Sequence, residues 1–242
     1  MDPKSFYNET ISQKFGGDYE TARWRANPFL TAQYQMMVDV LNRLIVPSIR
    51  KARSVLEVGP GPGTWTKLLL EVNSSAAYTL VDISSEMLAQ ARKGLTSHTN
   101  ITFVESDLRM FESLQPFDFF FSSRAIEYMP DKSAAARKIA SLLAPGAQGV
   151  IITKMPKPLF NQIRGRQIVA LHTGQITPRD LARILERSGC IVEKVRVATA
   201  TLPGFGSARA NSLVFALLKR LPLFFPFTFF AESYLVTFRK PL

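Results

Sequence analysis

Apolar residues recur along this chain in short β-rich runs, and between most of these runs the apolar spacing changes to that of a helix. Ser54–Val58, Tyr78–Asp82, Ile101–Glu105, Phe117–Ser122, Gly149–Lys154, Ile191–Val197 and Tyr234–Arg239 read as strands. Thr64–Val72, Ser84–Leu95, Lys132–Leu143 and Pro178–Ser188 read as helices. Such alternation predicts an α/β fold, a mainly parallel sheet covered on both faces. Some boundaries carry their own chemistry. Thr177 can cap the helix that Pro178 opens, with Asp180 in its first turn and Gly189 past its end. Pro145-Gly146 is expected to stop the preceding helix near Leu143 and start the turn into the next strand.

Three regions fall outside the alternation. Residues before about Arg50 begin with aromatic and polar positions (Phe6, Tyr7, Phe15, Tyr19, Trp24) and continue into a helix from Phe29 to Val46. Met155–Ile176 form a basic insertion and Ala200–Glu232 a long apolar one. There is no internal repeat.

With 242 residues the chain is long enough to bury a real core. Its 46% hydrophobic content and mean hydropathy of +0.04 fit a folded protein rather than a disordered one. The one cysteine, Cys190, excludes an internal disulfide and a cysteine-rich metal site, and favours a reducing compartment. The start, Met1-Asp2-Pro3-Lys4, has no apolar signal core, so the expected location is cytoplasmic, with room for peripheral membrane contact. The net charge is +11, and Lys154, Lys157, Arg164, Arg166, Arg179, Arg183, Arg187, Lys194 and Arg196 crowd one segment. That pattern reads as a solvated basic face or as a surface for an anionic substrate or an anionic membrane. Nucleic acid ranks last, because no zinc pattern or RNA-binding signature accompanies the charge.

The chemistry concentrates at Val55-Leu56-Glu57-Val58-Gly59-Pro60-Gly61-Pro62-Gly63-Thr64. An apolar strand ends there in a glycine-dense turn, and a helix follows at once. Glycines let the backbone turn sharply and let a ligand approach it, and the helix start offers unpaired N–H groups. The pattern is G-x-G-x-G and lacks the third glycine of G-x-G-x-x-G, which disfavours a dinucleotide. No lysine accompanies the turn, which disfavours a triphosphate. Two further acids follow, Asp82 at the tip of the second strand and Asp107 just past the third. Asp82 is placed to accept both hydroxyls of a ribose, and Asp107 to accept from an adenine amino group. Glu57 would serve a cationic amino-acid end. Plainer roles stand beside these. Gly63 also suits packing alone, Asp107 a cap for Leu108–Phe111, and Asp82 a cap for the helix after Ser84.

In these motifs the chain resembles the class I S-adenosylmethionine-dependent methyltransferases, across roughly residues 50–200, and most nearly their quinone and small-molecule group. The matching stretches are Val55–Thr64, Leu80–Ile83, Glu105–Leu108, Phe117-Asp118 through Met129, and Leu142-Leu143-Ala144-Pro145-Gly146 before a strand. The resemblance implies a Rossmann-like, doubly wound sheet of seven strands whose last strand, here Tyr234–Arg239, runs antiparallel. It implies S-adenosylmethionine as cofactor and S-adenosylhomocysteine as product. Gly59 and Gly61 would pass under the methionine part, Asp82 hold the ribose, and Asp107 with Leu108 frame the adenine, with Glu57, Gly63 and Ile83 also among the cofactor-binding residues. Ser123 and Arg124 would line the methionyl end and face the acceptor. The chain is then one domain: an N-terminal helical lid (1–50), a cofactor-binding core (51–199), an apolar insertion (200–232) and a last strand (233–242).

The acceptor side is less determined. The sulfonium methyl is electrophilic without help, so the protein must chiefly align the partners and sometimes remove a proton. Candidates for that proton are Glu127 and Tyr128, where related enzymes tend to carry histidines, and His172 after the basic insertion; each has a structural alternative. His98 lies in a polar turn and is given no role. Tyr19, with Tyr7 and Trp24, belongs to the expected lid, and Lys154, Arg164 and Arg166 would meet an anionic group. The insertion is broken by Lys219-Arg220 and by prolines, so it does not span a membrane. It either walls an apolar acceptor pocket or lies in a membrane interface with Arg209, Lys219 and Arg220 toward anionic headgroups. A small-molecule or lipid-linked acceptor follows as the expectation. A non-catalytic binding or scaffold protein and a nicotinamide-dependent oxidoreductase are the alternatives, and no oligomeric state is legible.

Overall fold

The computed structural model describes residues 3–10, 19–156, 174–202, 207–223 and 227–242. Seven strands form one sheet: β1 (Ser54–Val58), β2 (Ala77–Asp82), β3 (Ile101–Glu105), β4 (Phe117–Ser123), β5 (Leu143–Lys154), β6 (Ile191–Ala200) and β7 (Ala231–Arg239). Their order is β3-β2-β1-β4-β5-β7-β6. The first five run parallel, and β7 lies antiparallel to both of its neighbours. The expected sheet, with its antiparallel last strand, is the one found.

The central strands are apolar throughout because helices cover both faces. In β4, Phe119, Phe120 and Phe121 are all fully buried, and each contributes roughly 1.5–3 kcal/mol relative to exposure. The main helices are α1 (Tyr19–Trp24), α2 (Pro28–Leu44), α3 (Thr64–Val72), α4 (Ser85–Gly94), α5 (Lys132–Leu142), α6 (Pro178–Arg187) and α7 (Ala208–Leu218). Their starts are chemically marked. Asn27 accepts from the Leu30 N–H, Ser84 from Met87, Asp131 from Ala134 and Thr177 from Asp180. Ser84, not Asp82, therefore caps α4.

One boundary departs from the expectation. Pro145-Gly146 does not form a turn after the helix; α5 ends at Leu142 and β5 begins directly at Leu143. Gly146 adopts φ +77°, and a register shift in β4 between Phe117 and Phe119 absorbs the irregularity. The Gly146 and Lys240 N–H groups are held across to the other segment's carbonyls, so the pair is paid into a strand by its far-away partner rather than released as a loop.

Residues 200–232 fold as the connection between β6 and β7. Its helix α7 buries Asn211, Phe215 and Leu218 and packs on α2 and β6. No helix among the described residues is long and apolar enough to cross a membrane.

Candidate active site

Strand order reverses between β1 and β4, whose chains leave the sheet in opposite directions, and this opens a crevice at their carboxyl ends. A cavity occupies that point, with about 1090 Å³ of open space including its mouth. The loops after β1, β2, β3 and β4 and the N-terminal segment line it.

The loop after β1 is shaped by backbone geometry. Gly59, Gly61 and Gly63 all have positive φ (70°, 56° and 84°), a region in which side chains are strained. A Cβ on Gly59 would lie 2.4 Å from that of Ala125, so the loops after β1 and β4 close on each other only through glycine. A Cβ on Gly61 would meet nothing within 4 Å. Gly59 and Gly61 line the cavity; Gly63 does not, and faces Ala91 and Leu95 of α4 instead. The packing reading of Gly63 is the one its position fits.

Asp82 lines the cavity and accepts from the Gly61 N–H (3.3 Å) and the Ser84 N–H (2.9 Å). Burial pushes its carboxyl up to about 6 although those backbone donors, and that of Ile83, favour the charged form. A carboxylate has about four acceptor sites, so beside these three donors about one further hydroxyl can be accommodated. Ile83, Leu108 and Asp107 also line the cavity. Asp107, however, is already engaged by Arg109, whose Nη2 lies 2.6 Å from Oδ2 and whose backbone N–H meets Oδ1 at 2.8 Å. Hydrogen bonding from Arg109 holds that carboxyl below its usual range. Glu57 is wholly buried behind the loop, does not line the cavity, and accepts from Thr66 Oγ1 at 2.7 Å. Burial, against that hydrogen bond, raises it to about 8.

Two lining hydroxyls, Thr64 Oγ1 and Ser123 Oγ, are buried with no hydrogen-bond partner. Buried polar atoms without partners are uncommon and call for a ligand. With the glycine loop, the unpaired N–H groups at the start of α3 and the Asp82 carboxylate, they make a donor and acceptor set that fits an adenosyl amino acid.

The turn after β4 is strained where it meets the cavity. Arg124 has φ +63°, the one positive value for a non-glycine among the described residues. Its Nε donates to Glu127 Oε1 at 2.7 Å. Glu127 is buried and outside the lining; its Oε2 accepts from Thr153 Oγ1 (2.5 Å) and the Lys154 N–H (3.4 Å). Burial opposes its charge, but Arg124 and these donors outweigh burial and hold the carboxyl below the usual range. Reciprocally, Glu127 holds Arg124 charged against desolvation. The expected base at Glu127 is thus found as the ionised counter-ion of Arg124, with both oxygens occupied. Gly174 fixes the other side, because a Cβ there would strike the Glu127 carbonyl.

Tyr128 does line the cavity, and the N-terminal segment reaches it. Tyr7 donates to the Tyr128 hydroxyl at 3.1 Å, and its ring meets those of Tyr19 and Tyr128 edge-on. Asn8 Oδ1 accepts from Ser84 Oγ at 2.6 Å, and Lys4 lies 2.8 Å from Glu105. Residues 3–10 therefore cross the strand ends from β3 to the β4 turn. Trp24 meets Trp65 of α3 at 5.1 Å between ring centres, which anchors α1 beside the glycine loop. Arg23 was not singled out in the sequence, yet it lines the cavity with its guanidinium 4.0 Å over the Trp24 ring. Its signal was an arginine set between the lid aromatics Tyr19 and Trp24. Lys154 is outside the lining, 3.6 Å from Glu232. Arg164, Arg166, Lys157 and His172 lie outside the described residues. No residue of 200–232 is among those lining the cavity, so the expected apolar wall is not built from the described part of that segment. No group of His, Cys, Asp and Glu suited to a metal occurs among the described residues.

A reversed parallel sheet with an antiparallel β7, a glycine loop after β1 and a carboxylate at the tip of β2 are the features of the Rossmann-like, class I S-adenosylmethionine-dependent methyltransferases, and the chain is similar to them in fold and in its matched domain. Residues 55–146 match the family model described as methyltransferase domain. Among curated proteins, trans-aconitate 2-methyltransferase of Rhizobium leguminosarum bv. trifolii is 26% identical over 166 residues, 69% of this chain and 63% of that relative. A protein of the same name from Escherichia coli is 32% identical over 128 residues, 53% of this chain and 48% of its own length. The matched stretches thus span about half to two thirds of these relatives. Among solved structures, magnesium protoporphyrin IX methyltransferase of Synechocystis PCC 6803 with bound S-adenosylhomocysteine has TM-score 0.65 at 17% identity, covering 98% of this chain and 97% of that one, a likeness of fold.

Proposed function

We propose that the protein transfers a methyl group from S-adenosylmethionine to an oxyanion, a carboxylate for preference, of a small anionic acceptor. The observation that carries this reading is the cationic, tyrosine-lined end of the cavity. Arg23 and Arg124 line it with Tyr7, Tyr19 and Tyr128, while the lining carboxylates Asp82 and Asp107 follow β2 and β3, on the other side of β1. Burial and the nearby charge of Arg124 both press the Arg23 guanidinium below its ordinary range, and no carboxylate pairs with it among the described residues. An acceptor anion would relieve both. The names of the curated relatives, trans-aconitate methyltransferases, point to the same chemistry. The lipid-linked acceptor that the apolar insertion suggested finds no support in the cavity lining.

When bound, S-adenosylmethionine supplies a sulfonium methyl that an oxyanion takes up directly, with the electrons of the broken C–S bond leaving on sulfur. The chain's own residues divide the remaining work. Asp82 and the glycine loop hold the adenosyl part, and the hydroxyls of Thr64 and Ser123 take the polar groups of the amino-acid part. Arg124, locked by Glu127, and Arg23, held on Trp24, orient the anion. The tyrosines and residues 3–10 exclude water. A carboxylate is already ionised at neutral pH, so no proton need be removed, in accord with a Glu127 that pairs with Arg124 and does not line the cavity.

The test is turnover with methyl-labelled cofactor against a panel of small mono-, di- and tricarboxylates, trans-aconitate included. A base-labile methyl ester in the aqueous phase is the expected product. Label only in a lipid fraction, or in a base-stable N-methyl product, would overturn the reading.

A further inference from the structure

Helix α7 carries a second surface, outside the cavity lining. Its inner side, Asn211, Phe215 and Leu218, packs inward. Its outer side holds Arg209, Ser212, Leu213, Ala216 and Leu217, and the turn that follows it adds Arg220 and Leu221, all exposed. The five helical positions follow the three-and-four spacing of one helical face. Leu213, Leu217 and Leu221 keep 69%, 75% and 40% of their surface open to solvent. An apolar stripe on the solvent side of a helix is the reverse of what a soluble surface helix needs. Nothing among the described residues covers it.

The charge around this stripe has one sign. From Lys194 to Ala231 the sequence contains Lys194, Arg196, Arg209, Lys219 and Arg220 and no acidic residue; Glu193 and Glu232 bracket the stretch. Lys219 is turned inward to Asp39 at 3.0 Å, which also holds Arg43 at 2.7 Å, leaving Arg209 and Arg220 exposed at the two ends of the leucine stripe. β6 beside it is the edge of the sheet, and Leu223 donates its N–H to Val195 of that edge.

We propose that this face of α7 binds an anionic membrane surface, the helix lying in the interface with its leucines inward and Arg209 and Arg220 among the headgroups. The charge decides between occupants. A second copy of the chain, meeting this face with its own, would set cation against cation with no acid to pair them. A bilayer carrying anionic lipid offers apolar depth for the leucines and negative charge for the arginines together. At about 1.5 Å per residue the helix is roughly 16 Å long, too short to span and suited to lie flat.

The test is co-sedimentation of the full chain with phosphatidylcholine vesicles, with and without phosphatidylserine. Binding is expected with phosphatidylserine, weakened by salt. Leu213→Glu combined with Leu217→Glu should reduce it at least about tenfold, and Arg209→Gln combined with Arg220→Gln should remove most of its dependence on anionic lipid. Both pairs are exposed, so the melting temperature should hold, which a thermal melt checks. No sedimentation with phosphatidylserine vesicles, equal binding to neutral ones, binding untouched by both pairs, or a dimer in solution that the glutamates dissolve would each overturn the proposal.

Discussion

Arg124 Nε lies 2.7 Å from Glu127 Oε1, in a turn where the arginine adopts φ +63° and the glutamate is fully buried. The pair turns a strained backbone position into a fixed cation lining the cavity. Glu127→Gln separates this role from that of a base. It removes the counter-ion while keeping the shape, so it should cost about 3–5 kcal/mol of stability and raise the acceptor KM more than it lowers kcat. Loss of a general base would instead cut kcat by about 10²–10⁴. Steady-state kinetics with a denaturant melt distinguishes the two.

Gly59→Ala should be far worse than Gly61→Ala. Both place a side chain at positive φ, but only the first drives a Cβ to 2.4 Å from Ala125. Strain alone costs about 1–2 kcal/mol; the clash at Gly59 must also force the β1 and β4 loops apart. Paired thermal melts and S-adenosylhomocysteine calorimetry should rank Gly59→Ala below Gly61→Ala in both readouts.

Cofactor affinity should fall as pH drops through about 6. Burial raises Asp82 to about 6, and under the proposed reading a ribose hydroxyl would donate to the ionised form. Below that value binding must expel a proton, so affinity should weaken by about tenfold per pH unit. Asp82→Asn should bind more weakly at pH 7.5 and lose the pH dependence. Calorimetry between pH 5 and about 8 checks both.

Glu57 gives an opposite lever on stability. Its folded value, about 8, exceeds its unfolded one, so the native state holds a proton that the unfolded chain releases. Its contribution is full at low pH and is lost as pH rises through about 8. Glu57→Gln keeps a hydrogen-bond partner for Thr66 and removes the buried charge. Above pH 8 the variant should therefore be more stable than the parent by an amount on the order of a few kcal/mol, and the gap should close by about pH 5. Chemical denaturation at the two pH values measures it.

What the sequence revealed depended on how local the cause was. The strands were legible because β1, β4 and β5 are buried on both faces and so read as continuous apolar runs, and the Thr177 cap because its partner is three residues away. Pro145-Gly146 misled, since its backbone partner is Lys240, almost a hundred residues later. Glu127 looked like a free acid because Thr153, which occupies its second oxygen, belongs to another strand. Arg23 was hidden for the same reason: only the folded chain brings it beside Arg124. For the insertion, read as a pocket wall or a membrane-interface segment, the sequence did not reveal that α7 packs on α2 with Leu213 and Leu217 turned out.

The place of β7 between β5 and β6 governs the order in which the chain can be completed. A nascent chain that has emerged only as far as residue 223 already holds β1 to β5 and the whole of β6, yet β6 has no neighbouring strand to bond to, and β5 has an open edge beside it. Both edges stay available to other chains until residues 231–239 are made and slide between them. The last strand to be synthesised thus closes the sheet on both sides at once, and substitutions in Tyr234–Phe238 should show themselves first as aggregation during expression rather than as lost activity.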